Sequence, residues 1–237
     1  PYKRRPASDS MEHSAEPSAL CRLKGLETMP KGFYFDNARC TGCRTCVMAC
    51  KDYHDHGADE GFRRVIDYEG GGWTVAEDGT LSQDAFAYHI SLACNHCANP
   101  ACAQVCPTEA MHRDELGLIW PDHSKCIGCG YCTMACPYHA PAIDKTLKRS
   151  SKCDGCRERI AAGLAPICVE ACPLRALDFG EKGELHERHE DYWDEVRGDI
   201  LPLPEESATG PNLFILPSPA AAENRSGSIA NRKELNL

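Results

Sequence analysis

The chain has 237 residues, a formal net charge of −9 and 17 cysteines, and its mean hydropathy is −0.44. The acidic balance argues against nucleic acid as a partner, because nucleic-acid phosphates require a basic surface. No stretch reaches the roughly eighteen apolar residues of a membrane-spanning helix. The hydrophobic fraction of 42% includes the cysteines, so the apolar core is modest and bound metal should supply much of the folding energy.

Residues 1–31 are polar and lack periodicity, which predicts an extended N-terminal arm. Its Lys3-Arg4-Arg5 run is similar to a twin-arginine signal, but polar residues follow, which favours a plain basic tail. Cys21 lies in this arm, apart from the other cysteines. We expect a free thiol there, with a regulatory or intermolecular link as the alternative.

A short apolar strand is predicted over residues 32–36, and it leads into the first cysteine group. That group reads Cys40-x2-Cys43-x2-Cys46-x3-Cys50, the spacing of a [4Fe-4S] motif. Lys51 stands where a proline usually follows the fourth cysteine. Proline fixes the turn and ligates nothing, so the motif is retained.

Residues 57–93 contain no cysteine and predict an insertion with a hairpin. Residues 63–68 and 85–92 alternate as strands do, and glycine-rich turns lie between them. The glycine triplet at 70–72 indicates a turn rather than a phosphate loop, since no Gly-Lys-Ser/Thr signature follows it.

Two adjacent cysteine groups occupy the centre of the chain. They read Cys94-x2-Cys97-x4-Cys102-x3-Cys106-Pro107 and Cys126-x2-Cys129-x2-Cys132-x3-Cys136-Pro137. In two-cluster ferredoxins the fourth cysteine of each run ligates the other cluster. The predicted ligand sets are therefore quartet 2 (Cys94, Cys97, Cys102 and Cys136) and quartet 3 (Cys106, Cys126, Cys129 and Cys132).

A basic connector over residues 138–152 leads to the fourth group, Cys153-x2-Cys156-x11-Cys168-x3-Cys172-Pro173. The long excursion within this group is compatible with a helix. Residues 181–197 are a charged helical candidate with a sparse apolar side. The remainder, 199–237, is irregular and proline-rich, and its apolar run at 213–216 is expected to dock as a strand or as an anchor.

The cysteine spacing selects among metal sites. Disulfide frameworks do not repeat such short spacings, and structural zinc would leave two cysteines of every group idle. Covalent haem needs Cys-x-x-Cys-His, and Rieske ligation needs histidines at ligand positions that cysteines fill here. A [3Fe-4S] cluster is expected where a group lacks a cysteine, and none does. The prediction is four [4Fe-4S] clusters.

Ligand counting alone leaves the outer groups with two pairings. In the nested pairing they share clusters with each other, and in the sequential pairing the first group joins the second and the third joins the fourth. The nested ligand sets are quartet 1 (Cys40, Cys43, Cys46 and Cys172) and quartet 4 (Cys50, Cys153, Cys156 and Cys168).

Polar residues crowd the motifs. The histidines are expected to support ligands or lie at the surface, and the alternative is that one faces a quinone or carries protons; they are His54, His56, His96, His112, His123 and His139. The basic residues beside the ligands are expected to offset cluster charge or to be solvated at the surface; they are Arg39, Arg44, Lys51, Lys125 and Lys152.

Several runs together resemble the four-cluster electron-transfer subunits of dimethyl sulfoxide reductase-type complexes. The runs include Arg39-Cys40-Thr41-Gly42-Cys43, Phe62-Arg63-Arg64, Cys94-Asn95-His96-Cys97, Lys152-Cys153-Asp154-Gly155-Cys156 and Cys172-Pro173-Leu174-Arg175-Ala176-Leu177. The similarity covers about residues 32–237. It favours the nested pairing, and all sixteen ligands carry over because each motif position holds cysteine.

The resemblance implies a heteromeric reductase of anaerobic respiration. A larger partner would hold molybdenum on two pterin-guanine dinucleotides and perform the chemistry, a membrane anchor would oxidise menaquinol, and this chain would carry electrons between them with no catalytic residue of its own. The terminal substrate does not carry over. The chain is expected on the outer side of the membrane, exported with a twin-arginine partner, or else in the cytoplasm.

The predicted fold is α+β, with nested bacterial-type two-cluster ferredoxin modules. Residues 32–180 would form the double ferredoxin domain with the 57–93 insertion, and 181–237 a C-terminal helix and a partner-wrapping tail. Two other functions are considered: a free-standing polyferredoxin, and a scaffold whose clusters are not redox-active.

Overall fold

The computed structural model describes residues 31–58 and 60–235. The predictions for the N-terminal arm and for Cys21 lie outside the described residues, except that Lys31 begins the first strand.

Short strands are interspersed with short helices along the chain. The strands are β1 (Lys31–Asp36), β2 (Arg64–Gly70), β3 (Trp73–Val75), β4 (Leu81–Gln83), β5 (Phe86–Leu92), β6 (Met111–Arg113), β7 (Ile119–Pro121), β8 (Ala142–Ile143), β9 (Ser150–Ser151), β10 (Leu177–Glu181), β11 (Leu213–Leu216) and β12 (Ser228–Ile229). The helices are α1 (Thr45–Tyr53), α2 (Ala101–Gln104), α3 (Tyr131–Ala135), α4 (Arg157–Ala161), α5 (Ile167–Glu170), α6 (Lys182–Arg188), α7 (Pro219–Ala222) and α8 (Arg232–Leu235), and 3₁₀ helices cover Glu190–Glu195 and Glu206–Ala208.

Strand β1 lies at the centre of a three-stranded sheet, between β10 and β11. It runs antiparallel to β10, which places Phe35 opposite Leu177, and parallel to β11, which places Phe35 opposite Ile215. Phe35 and Ile215 are fully buried in the main hydrophobic core. The C-terminal run at 213–216 is therefore a strand of this sheet.

The other face of this sheet is covered by α6. Leu185 of this helix is fully buried against Tyr34, because alternate residues of β1 point to opposite faces. The predicted helical segment at 181–197 is interrupted: α6 ends before His189, whose φ of −125° is not helical, and a 3₁₀ helix follows.

The second three-stranded sheet is built around β2. Strands β2 and β5 pair antiparallel along their whole length, with Tyr68 opposite Tyr88, and β12 adds to the free edge of β2. These are the strands predicted at 63–68 and 85–92. The hairpin of β3 and β4 projects between them and leaves Trp73, Val75 and Leu81 exposed.

Helix packing brings distant cysteine groups together. Helix α1, in the first group, packs against α5, in the fourth group, and α2 packs against α3 across the two central groups. The helices that carry the outer groups are thus adjacent to each other, as in the nested arrangement.

The C-terminal segment folds back on the domain. Asn231 accepts a hydrogen bond from the Asp67 amide at 2.9 Å and donates one to the Val65 carbonyl at 2.8 Å, and both partners lie on β2. Glu234 pairs with Arg44 at 2.8 Å, beside the first cysteine group. These contacts attach the tail to the domain itself, and contact with a partner stays a prediction.

Candidate metal centres

The Cys-x2-Cys loops share a left-handed residue just before their second cysteine. It is Gly42 at φ 67°, Gly128 at φ 69° and Gly155 at φ 71°, while His96 at φ 44° takes this place in the remaining loop. Glycine adopts this left-handed conformation without steric cost, whereas a residue with a Cβ adopts it only at a steric cost. In quartets 1, 2 and 3 the two cysteines that flank this turn line the same cavity.

Three cavities of similar size are each lined by one predicted quartet. The free space beside the ligands, part of it open to solvent, is about 350 Å³ at quartet 1, about 360 Å³ at quartet 2 and about 350 Å³ at quartet 3. The distant cysteines are part of these linings: Cys172 joins quartet 1, Cys136 joins quartet 2 and Cys106 joins quartet 3. Each of these cavities thus brings the four cysteines of one quartet together, and shared ligation of a cluster by those four stays a prediction.

The members of quartet 4 also lie near one another. Burial raises the pKa of Cys50 to about 11, and the nearby Cys168 contributes to this. Burial likewise raises the pKa of Cys156 to about 12, with contributions from Cys168 and Cys50. All four cysteines of this quartet are buried, including Cys153.

Backbone amides point at cysteine sulfurs in every quartet. The amides of Ala176 and Ser150 lie 3.3 Å from the sulfurs of Cys172 and Cys126, and those of His96, Met111 and Gly155 lie 3.5 Å from Cys94, Cys106 and Cys153. Such hydrogen bonds favour the charged form of a thiol and are among the features that set cluster potential.

The donor set fits an iron–sulfur cluster. The sixteen cysteines of the described residues are free thiols, without disulfides. Burial, together with the charge of the neighbouring Cys94, raises the pKa of Cys102 to about 12. Cysteine binds metal as thiolate, and thiolates that are buried side by side need a compensating positive charge. Iron held by four such thiolates supplies that charge.

The charge effects between cysteines of different quartets, together with helix packing, show which quartets are neighbours. Burial raises the pKa of Cys46 in quartet 1, and the charge of Cys168 in quartet 4 adds to it. Burial holds the pKa of Cys153 in quartet 4 well above its usual range, and Cys94 in quartet 2 adds to that. The packing of α2 on α3 links quartets 2 and 3. The order is therefore quartet 1, quartet 4, quartet 2, quartet 3.

Exposure follows the same order. Cys43 in quartet 1 and Cys129 in quartet 3 are exposed, whereas the other described cysteines are buried or half-buried. Exposed apolar side chains accompany both ends, with Met48 on α1 near quartet 1 and Met134 on α3 near quartet 3. The terminal quartets thus reach the surface of the described chain, and the two middle ones are enclosed.

The basic residues beside the ligands divide by burial. Lys125 and Arg39 are about 60% exposed in their side chains, and each pairs with an aspartate three residues away. Arg44 pairs with Asp67 at 2.5 Å. Lys152, by contrast, is fully buried, and its ammonium lies 3.3 Å from the Cys94 sulfur.

Arg63 is a buried cation that the sequence pattern did not single out. Arg63 is 3% exposed, and its guanidinium lies 4.6 Å from the centre of the Phe33 ring. Burial acts to lower the pKa of Arg63, but nearby thiolates, Cys168 first, reverse this and raise it. Nothing in the run Phe62-Arg63-Arg64 distinguishes this arginine from its neighbour, because strand alternation does not show which side faces the clusters.

Three of the six predicted histidines form hydrogen bonds to the backbone through their rings. His96 is fully buried and its Nδ1 accepts a hydrogen bond from the Ile119 amide at 3.1 Å; burial holds the pKa of this histidine well below its usual value. His112 and His123 bond to the carbonyls of Ala110 and Ser150. The ring of His54 lies beside a ligand instead, with its Nε2 3.8 Å from the Cys156 sulfur.

Comparison with known proteins identifies iron–sulfur domains in this chain. Residues 85–182 match the model of a 4Fe-4S dicluster domain, and residues 37–53 match that of a 4Fe-4S binding domain. These matches cover all four cysteine groups and show that the chain binds [4Fe-4S] clusters.

Relatives are similar over most of the sequence. The chain is 48% identical to the B subunit of the anaerobic dimethyl sulfoxide reductase of Haemophilus influenzae, over 86% of this chain and 98% of the relative. It is 47% identical to the corresponding subunit from Escherichia coli K12, over 88% of this chain and 100% of the relative. A thiosulfate reductase electron transfer subunit of Salmonella typhi is 40% identical over 63% of this chain and 74% of the relative.

The helices of residues 31–58 and 60–235 are short, and among them none has both the length and the apolar character needed to cross a bilayer.

Proposed function

This protein belongs to the family of iron–sulfur B subunits of the anaerobic dimethyl sulfoxide reductases, and we propose that it conducts electrons from a quinol-oxidising membrane anchor to a molybdenum-containing catalytic subunit. The chain itself is an electron-transfer subunit, as its named relatives are. Bound [4Fe-4S] clusters supply one-electron redox centres. The protein supplies their ligands, their spacing and their electrostatic surroundings.

The proposed cofactor content is four [4Fe-4S] clusters, one for each quartet. Twelve of the sixteen free thiols of the described residues line three cavities, four thiols to each cavity, and this is the observation that carries the proposal. For quartets 1, 2 and 3 the support is a shared cavity. For quartet 4 it is the mutual proximity of buried thiols together with the packing of α1 on α5.

The order of the quartets supports a route through the molecule. Quartets 1 and 3 stand at the two ends of the order and carry the exposed ligands Cys43 and Cys129. Electron transfer between proteins requires that a cluster approach the surface where the partner docks. We propose that one partner docks beside quartet 1 and the other beside quartet 3, while quartets 4 and 2 form the insulated middle of the route.

The proposed catalytic partner holds molybdenum on two pterin-guanine dinucleotides, and the proposed anchor lies in the membrane. Relatives are named for dimethyl sulfoxide, thiosulfate and tetrathionate reductases, which suggests that the terminal substrate is chosen outside this chain. An S-oxide, an N-oxide or a related compound is the proposed substrate class. We propose a peripheral position on the outer side of the membrane, reached by export with a partner that carries a twin-arginine leader.

Anaerobic purification of the chain from its native host tests the proposal. We expect a stable complex with a molybdenum-containing polypeptide, and about sixteen iron atoms for each copy of this chain. Dithionite titration followed by electron paramagnetic resonance should reduce the clusters. A monomer without molybdenum would indicate a free-standing polyferredoxin, and clusters that cannot be reduced would indicate a scaffold. Zinc, or iron well below sixteen atoms, would overturn the ligand assignment.

A further inference from the structure

Lys152 lies where quartet 2 meets quartet 4. Its ammonium is 3.3 Å from the sulfur of Cys94, a member of quartet 2. It also donates a hydrogen bond of 2.9 Å to the carbonyl of Cys153, a member of quartet 4, and another to the carbonyl of Ile119. The residue is 0% exposed, so solvent does not screen its charge. Its positive charge therefore acts on both quartets.

Arg63 occupies the corresponding place between quartets 1 and 4. Its Nη1 donates to the hydroxyl of Ser91 at 3.0 Å, and that hydroxyl lies 3.2 Å from the sulfur of Cys46 in quartet 1. In quartet 4, burial raises the pKa of Cys50 to about 11, and the charge of the nearby Arg63 acts in the opposite direction. Its Nε and Nη2 are buried and find no hydrogen-bond partner among residues 31–58 and 60–235.

Neither cation has a carboxylate partner within the described part of the chain. Burial of an unpaired ammonium or guanidinium is strongly unfavourable. A role limited to hydrogen bonding would be served by a neutral side chain at lower cost. The anionic groups that face these cations are the cysteine ligands, so the opposing charge is that of the clusters and their thiolates.

We propose that Lys152 and Arg63 are positioning residues that raise the reduction potentials of the clusters on both sides of their junctions. This inference rests on the proposed function, since it assumes clusters in quartets 1, 2 and 4. An oxidised [4Fe-4S] cluster with four thiolates carries a charge of about −2, and reduction adds another negative charge. A fixed positive charge stabilises the reduced form more than the oxidised form. It also lessens the repulsion between neighbouring anionic clusters.

Lys152→Gln in the full chain, purified with its clusters, tests the first junction. Glutamine keeps a hydrogen-bond donor and removes the charge. We expect at least a tenfold decrease in the equilibrium constant for reduction of the clusters in quartets 2 and 4, which is about 59 mV for a one-electron couple. Redox titration monitored by electron paramagnetic resonance measures it. Unchanged potentials in these clusters would overturn the proposal.

Lys125→Gln is the matched control. Lys125 precedes the first cysteine of its group, as Lys152 does, but its side chain is 60% exposed. Solvent screens an exposed charge. Lys125→Gln should therefore change the equilibrium constant for reduction of the quartet 3 cluster several-fold less than Lys152→Gln changes that of the clusters in quartets 2 and 4. Equal shifts in both variants would contradict a role that depends on burial.

Arg63→Gln tests the second junction, with Arg39→Gln as its control. Arg63 is 3% exposed, whereas the side chain of Arg39 is 59% exposed and paired with Asp36. We expect Arg63→Gln to lower the potentials of the clusters in quartets 1 and 4, and Arg39→Gln to leave them nearly unchanged. Potentials that respond equally to the two variants would contradict the assignment.

Iron content separates this inference from the proposed function. Each variant should keep the iron content of the parent protein, because no ligand is altered. Loss of iron in both Lys152→Gln and Arg63→Gln would show that these residues serve assembly and would overturn their redox role. Failure of the proposed function would give a different result: the unaltered chain would lack a molybdenum-containing partner or would have a low iron content.

Discussion

Cys106 and Cys136 are the residues on which the assignment of the two central clusters depends. Each follows its own group by the same three-residue spacing, yet each lines the cavity of the other group. The proline after each cysteine restricts the backbone at that point and directs the chain away from its own loop. We therefore expect the exchange of these two ligands to join quartets 2 and 3 into one packed unit.

Double substitutions test this exchange. Cys106→Ala combined with Cys129→Ala leaves quartet 3 with two cysteines and should remove its whole cluster, about four iron atoms, because both residues serve quartet 3. Either change alone leaves three cysteines, for which a [3Fe-4S] cluster and the loss of about one iron atom are expected. Cys136→Ala with Cys129→Ala leaves quartets 2 and 3 with three cysteines each, so it should produce two [3Fe-4S] clusters and remove only about two iron atoms. Iron analysis, with electron paramagnetic resonance of the remaining clusters, measures the loss. Ligation within each sequence group would reverse the two results.

At the scale of elements, the three-stranded sheet around β1 joins distant parts of the chain. Strand β10 follows the last cysteine group, and β11 comes from the C-terminal segment. Both faces of the sheet are covered, with Phe35 on one side and Tyr34 on the other. The sheet consequently holds the first and last cysteine groups in register and brings Cys172 to quartet 1.

Ile215→Ala tests the contribution of β11. Ile215 is 0% exposed and lies in the main core opposite Phe35. Removal of these buried carbons should lower the free energy of unfolding by about 2–5 kcal/mol, seen as a lower urea midpoint in circular dichroism. Leu81→Ala, on a strand where the leucine is 64% exposed, should change it by less than about 0.5 kcal/mol. Similar losses in both variants would argue against a docked β11.

Asn231 tests the attachment of the tail to β2. Asn231→Ala removes two side-chain hydrogen bonds to the backbone of β2 and should destabilise the tail locally by about 1–3 kcal/mol. Limited proteolysis should then cleave the C-terminal segment faster. The exposed Ser226, changed to alanine, is the control, and its cleavage rate should match that of the unaltered chain. Equal rates for all three proteins would show that these bonds do not hold the tail.

At the scale of the whole molecule, ligation substitutes for part of the hydrophobic core. Ten of the sixteen cysteines in the described part of the chain are buried, and several of them are members of the apolar clusters themselves. Without metal, burial raises the pKa of such cysteines and so disfavours their thiolate form. The strands and helices around them are also short. Folding and cluster binding should therefore be coupled.

Removal of iron tests this coupling. Anaerobic chelation of all iron should abolish most of the secondary structure in the far-ultraviolet circular dichroism spectrum, because the remaining apolar core is small. Reconstitution with iron and sulfide should restore it. A spectrum that stays native-like after complete removal of iron would contradict the prediction.

The sequence alone determined the local features of the centres. The Cys-x2-Cys spacing and the preceding glycines at 42, 128 and 155 define loops within a few residues, so no distant contact is needed to recognise them. The alternation at 63–68 and 85–92 predicted β2 and β5 for the same reason, since strand periodicity is local. The type of cluster could also be predicted from the sequence, because each group contains four cysteines with the spacing of a [4Fe-4S] motif within one short stretch of the chain.

Tertiary structure alone decided what depends on distant contacts. The approach of Cys172 to Cys40, the docking of β11 beside β1 and the burial of Arg63 require packing between segments far apart in sequence. Lys152 and Lys125 hold the same place before a cysteine, yet one is enclosed between two quartets and the other is solvated. A local motif fixes which atoms can bind metal, whereas the packing of the whole chain sets the charge and solvent around them.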